Sequence, residues 1–197
     1  MTKHTEKKFW NCKPFYLIMG KILLVIVMTW VLPTFGQTKS NEHFPYTRQL
    51  TAFKEPLLTA DSSQSEIYRF TWLRTFHHPI AVRIEKHNNA YNLYWKVTDG
   101  MGGYAPGKLI ADKQKTISKE TWNKFNYLLK QLNFWHMKKD STELPVSDGA
   151  QWVLEGKAVN KYHFVDIQNP GISNSYHKCC YFLVGLTDLK IKDSEKY

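Results

Sequence analysis

Three histidines and three carboxylates are the residues of this chain best suited to chemistry: His77, His78 and His163, with Asp148, Glu155 and Asp166. His77-His78-Pro79 stands where a tight turn is expected, and neighbouring side chains in such a turn point apart. One imidazole joined by His163 or a carboxylate would offer zinc its nitrogen and oxygen ligands. No H-x-H or H-E-x-x-H spacing accompanies them, however. The preferred reading is a turn whose imidazoles bond to backbone, with no metal and no cofactor expected.

The densest polar and aromatic constellation is Asp148-Gly149-Ala150-Gln151-Trp152-Val153-Leu154-Glu155-Gly156, followed by Tyr162-His163-Phe164-Val165-Asp166. It reads as a hairpin with a turn over Gly156–Asn160. If Gly156 and Lys161 close that turn, Glu155 faces Tyr162, Leu154 faces His163, and Gln151 faces Asp166. Cross-strand partners share a face. His163 then sits with Trp152, Leu154 and Val165 as a core histidine, while Gln151, Glu155, Tyr162 and Asp166 share a solvated face. Paired carboxylates serve acid–base catalysis when close, but this register sets Glu155 and Asp166 far apart along the hairpin. No catalytic residue is assigned. The six residues stand as binding candidates.

Two other motifs yield less. Asp99-Gly100-Met101-Gly102-Gly103 follows a strand, but no helix opens after it and no Lys-Ser/Thr completes a phosphate loop. Its glycines are expected to supply positive φ angles. No G-x-S-x-G is present. Adjacent Cys179 and Cys180 read as two free, buried thiols, since a bond between neighbours needs a strained turn.

The elements that would position these residues are well patterned. Tyr68, Phe70 and Trp72, then Ile80, Val82 and Ile84, then Tyr91, Leu93, Trp95 and Val97 alternate with more polar neighbours, predicting an antiparallel meander with one buried face. A weaker strand is expected over residues 108–115. Trp122, Phe125, Leu129 and Leu132 recur at helical spacing behind Ser118, a good N-cap, and the helix should end near Asn133. After the hairpin, Asn169-Pro170-Gly171 breaks the chain before a last helix over residues 175–186, striped by Tyr176, Cys179 or Cys180, Leu183 and Leu186. The order ββββ-α-ββ-α predicts an α+β fold, a mostly antiparallel sheet with two helices on one face. Most tryptophans should point inward, leaving Tyr94 and Tyr104 exposed.

The two stretches of the hairpin, with Pro170 behind them, carry a resemblance. The pattern DGAxWxLEG…YHxVDxxxP resembles one found in a group of exported bacterial proteins. Phe70-Thr71-Trp72-Leu73-Arg74-Thr75-Phe76-His77-His78-Pro79 is similar to their earlier strand. The likeness spans residues 68–186 and implies a single domain. The group has no assigned activity, so the resemblance implies no functional residue.

The start of the chain reads as an address. Lys3, Lys7, Lys8, Lys13 and Lys21 precede an apolar run, Ile22 to Leu32, of 11 residues, then Pro33 and the small residues Thr34 and Gly36. That length suits a signal peptide and falls short of the roughly 20 residues that span a bilayer. The alternative is an uncleaved inner-membrane anchor over residues 15–36 with Lys21 snorkelling, or initiation at Met19. Either version puts the later domain outside the cytoplasm, in the periplasm or on the cell surface. Residues 37–66 read as a polar tether able to lay a short piece over a single domain at 67–197. Five lysines and Glu6 lie within residues 1–36, a net four of the chain's formal +10 charges, so +6 remains for the rest. That charge is spread without a dense basic block, which argues against a nucleic-acid partner. The expectation is a non-catalytic module binding an envelope protein or glycan. The alternatives are a small envelope hydrolase or metal-dependent enzyme, and an inhibitor of another protein.

Overall fold

Period-two alternation builds three strands in succession: β1 (Glu66–Arg74), β2 (Ile80–His87) and β3 (Ala90–Thr98). In the computed structural model, which describes residues 47–102, 104–138 and 148–197, the expected apolar positions from Tyr68 to Val97 line one core, Tyr91 at its partly buried margin. The signal at 1–36, the alternative anchor at 15–36, initiation at Met19 and residues 37–46 of the tether lie outside the described residues. Among those described, no helix is long and apolar enough to cross a membrane.

β4 (Leu109–Thr116) pairs with β3 and is mostly exposed, with Lys113 and Lys115 along a sheet edge. Lysines on an edge discourage pairing with another chain. β5 (Ala150–Ala158) and β6 (Lys161–Gln168) form the second hairpin. The hairpin docks through β5 onto β1, giving one six-stranded antiparallel sheet in the order β4-β3-β2-β1-β5-β6. β1 is thereby central, and every residue from Ile67 to Arg74 is buried.

The register of the second hairpin differs from the sequence expectation by two residues. Glu155 lies opposite Phe164 and Gly156 opposite His163, because the strands continue to Ala158 and Lys161 and turn over Val159-Asn160 alone. Within that turn Asn160 takes the left-handed conformation at φ 62°, which asparagine tolerates better than most residues. Gly156 serves packing instead of turning: a Cβ there would lie 2.6 Å from Phe134 and 2.9 Å from the Tyr68 ring. A slip of two leaves the faces unchanged. His163 still shares its face with Leu154, Trp152 and Val165.

Among the described residues three helices join the sheet: α1 (Thr47–Phe53), α2 (Lys119–Leu132) and α3 (Ser175–Gly185). The Ser118 hydroxyl accepts from the Thr121 amide at 3.2 Å, and Asn133 ends α2 in the left-handed conformation. Asn174 caps α3 in the same way. α2 and α3 pack together over the core. Tyr176 is fully buried there, and its hydroxyl donates to the carbonyls of Trp152 (2.7 Å) and Val165 (2.8 Å). Cys179 and Cys180 are free and buried. Burial pushes the Cys179 thiol up to about 12 and Cys180 well above the ordinary range, so both stay protonated core residues.

The opposite face is covered too. α1 and a short 3-10 turn, Leu58–Ala60, lie where the sequence reading placed a polar tether. Leu50, Phe53 and Leu58 are all but fully buried. Phe53→Ala should therefore cost about 3–5 kcal/mol in denaturant unfolding. A loss below about 0.5 kcal/mol, normal for a surface site, would restore the tether reading.

Candidate functional site

The face expected to be solvated carries a buried row of charge. Tyr94, Arg83, Arg69, Glu155 and Phe164 are successive partners across β3, β2, β1, β5 and β6. Arg69 has no exposed surface, and Glu155 is 1% exposed. Arg69 grips Glu155 with two bonds, Nε to Oε2 at 2.7 Å and a terminal nitrogen to Oε1 at 2.9 Å. Glu155 Oε1 also accepts from the Tyr162 hydroxyl at 2.9 Å. From the covering segment, Glu55 reaches Arg69 (3.4 Å), Arg83 (3.0 Å) and Lys96 (3.1 Å). Farther along, the Lys157 ammonium donates to the Ser63 carbonyl and to Asp61 (3.3 Å). Burial pushes the Asp61 carboxyl up, but hydrogen bonds from Ser63 and Lys157 outweigh it and hold the group below its ordinary value.

The six sequence candidates thus divide. Glu155 is fully engaged by Arg69 and Tyr162. Asp166 Oδ2 accepts from Gln151 Nε2 at 2.6 Å. His163 faces the opposite, core side of the sheet, its ring 5.1 Å from that of Phe134. Glu155 and Asp166 are therefore held to Arg69 and Gln151 on one face, with the imidazole on the other. Among the described residues, no three His, Cys, Asp or Glu side chains converge as a metal would need.

His77, His78 and Asp148 lie at the same end of the sheet, where β1 turns into β2 and β5 begins. His77 Nδ1 lies 2.7 Å from the Tyr197 hydroxyl, and His78 Nδ1 lies 3.2 Å from the Gly100 carbonyl. The Thr75 amide donates to the Gly149 carbonyl at 2.9 Å, next to exposed Asp148. The β3–β4 loop folds against the same end. Its Gly102 amide donates to the Arg74 carbonyl at 2.8 Å, and a Cβ at Gly102 would collide with the backbone of Leu73 and Arg74. Gly100 and Gly102 are thus needed for close approach, not for the positive φ expected of them; positive φ belongs to Gly107 and Gly149.

This braced end presents large apolar side chains to solvent. Phe76 at the tip of the β1–β2 turn is 53% exposed, Met101 is 51% and Tyr104 is 63%. The sequence reading foresaw Tyr104 but not Phe76 or Met101. The available signal was their position, large apolar residues inside turn sequences rather than on a strand face. Tyr94, the other tyrosine expected to be exposed, lies under the Arg83 guanidinium at 4.1 Å from its ring centroid. Two cavities lie elsewhere. One of about 310 Å³ sits between Asp61, Ser63, Lys157 and the β5–β6 turn, and one of about 270 Å³ between Tyr68, Leu129, Asn133 and Trp135. The Lys157 ammonium beside the first is already bonded within the protein.

No protein-family model matches this chain, and no curated protein matches it.

His177 on α3 provides a test of the core's electrostatics. Its ring stacks 4.8 Å from Trp152 and 5.6 Å from Tyr181, and burial lowers its pKa below the ordinary 6.5. The unfolded chain then takes up a proton near pH 6.5 that the native chain refuses. Its contribution is complete above that pH and is lost as pH falls toward the lowered native value. His177→Phe should reduce the drop in unfolding midpoint between pH 7.5 and 5.5. An unchanged drop would show that this histidine is not the group responsible.

Proposed function

We propose that this chain is an exported envelope module, in the periplasm or at the cell surface, that binds a protein partner through the loop end of its sheet without catalysing a reaction. The observation that carries the reading is the placement of Phe76, Met101 and Tyr104. Three large apolar side chains stand half or more exposed on loops tied to the central strand by backbone hydrogen bonds. Aromatic residues and methionine are enriched in protein interfaces, and loops held before binding lose little freedom on docking. His78 and Asp148 lie at this same end as a polar rim. The export signal read in residues 1–36 supports the location.

The enzyme alternative has less behind it. Glu155 and Asp166 are bonded to Arg69 and Gln151, and His163 lies across the sheet from both.

In envelope extract from its host, the chain should elute in a complex on gel filtration. A Phe76→Ser, Met101→Ser and Tyr104→Ser triple variant should elute as a monomer with its thermal midpoint unchanged, since exposed substitutions shift stability by no more than about 0.5 kcal/mol each. A native chain that stays monomeric in the extract, or a folded triple variant that keeps the complex, contradicts the proposal.

A further inference from the structure

The last residues of the chain occupy a slot beside the loop end, and the slot is built from buried groups. Trp72 and Trp152 are cross-strand partners on β1 and β5, each with no exposed surface, their rings 4.8 Å apart. Both indole N–H groups donate to the same atom, the main-chain oxygen of Tyr197, at 3.1 Å each. The Tyr197 hydroxyl meets His77 at 2.7 Å. Two residues earlier, Glu195 pairs with Arg74 at 3.3 Å. Arg74 lies over the Trp72 ring at 4.6 Å.

The groups on the two sides of this contact are unequal. The slot side is rigid: it belongs to the central strand, its neighbour and α3. The occupant side is light. No residue after Val184 is fully buried, although Leu189, Ile191 and Tyr197 pack partly buried against the core, and the regular structure beyond α3 is one 3-10 turn, Asp193–Glu195. If the segment leaves, two buried indole donors lose their acceptor. Arg74 Nε and His177 Nε2 flank them, both on residues more than nine-tenths buried, and neither has a hydrogen-bond partner among the described residues. Unpaired buried donors are costly. The slot therefore demands an acceptor oxygen, with an anion and a phenol beside it.

We infer that this slot is a peptide-binding site occupied by the chain's own Asp193–Tyr197, and that its ligands are peptides carrying an acidic residue two positions before a tyrosine. A second copy of the chain or another protein can present such a peptide. The segment in place then acts as a built-in competitor, because its covalent attachment through a short connection gives it an effective concentration of about a millimolar. This inference stands apart from the docking role proposed for the side chains of Phe76, Met101 and Tyr104, since Phe76 meets the segment through its main-chain amide alone, which donates to the Tyr197 hydroxyl at 3.4 Å.

The test uses a fluorescent, end-blocked pentapeptide copying Asp193–Tyr197, titrated into two forms of the full chain. The first is native. The second carries Glu195→Ala and Tyr197→Ala, which remove the Arg74 ion pair and the His77 contact. The double variant should bind the peptide at least about tenfold more tightly than the native chain. A peptide with alanine at both positions should bind neither form. A folded double variant that ignores the peptide up to about 1 mM, or equal binding by the two forms, overturns the inference. If the double variant does not fold, proton exchange at the Trp72 and Trp152 indoles of the native chain decides. Exchange about tenfold faster than the β1 amides is expected of a segment that opens locally. Exchange as slow as those amides would make the segment a permanent part of the core.

Discussion

Two arginines face each other in this sheet, and the rest of the structure accommodates that fact. Arg69 on β1 and Arg83 on β2 are direct cross-strand partners, an arrangement in which like charges destabilise pairing. At about 5 Å and an effective dielectric near 20, two unit charges repel by about 3 kcal/mol. The Glu55 carboxylate, 3.0 Å from Arg83 and 3.4 Å from Arg69, supplies the opposite charge between them. Glu155 satisfies the remaining fork of Arg69 from the other side. Without Glu55 the face would hold two opposed cations and Lys96 with one anion short. The segment carrying Glu55 is thus a structural layer, and its apolar residues Leu50, Phe53 and Leu58 close over the charges they help to bury.

This constraint also decides which residues remain for function. A carboxylate held by a buried guanidinium on one side and a tyrosine hydroxyl on the other has its lone pairs committed, as Glu155 does. At one end of the sheet four segments meet: the β1–β2 turn, the β3–β4 loop, the start of β5 and the last residues of the chain. That end combines exposed apolar side chains with a slot of buried donors already in use. Binding is the property proposed for both.

How much of this could be read from the sequence follows from where each force originates. The core face was legible because Tyr68, Phe70, Trp72 and their successors repeat at period two, a local pattern. The limits of α2 were legible because Ser118 and Asn133 act through their own neighbours. The second hairpin was placed on its correct faces but two residues out of register, since Gly156 resembles a turn residue and in fact makes room for Phe134 and Tyr68. The buried charge row was not legible. Glu55 meets Arg69 across 14 residues, and Arg69 meets Glu155 across 86, so nothing nearby in sequence marks any of them as buried. The same holds for Tyr197, which finds Trp72 at a separation of 125.

The claim that the buried charges of this face act as one coupled row on which the sheet depends is tested most directly by a double-mutant cycle on Arg69 and Glu155. Stability of Arg69→Met, Glu155→Leu and the double variant would be measured by denaturant unfolding. Each single change strands a buried charge and should cost about 3–5 kcal/mol. The double change removes both charges together and should cost no more than the worse single one. Losses that add to within about 0.5 kcal/mol would mean that the two side chains act independently, and the row would not be what holds the structure together.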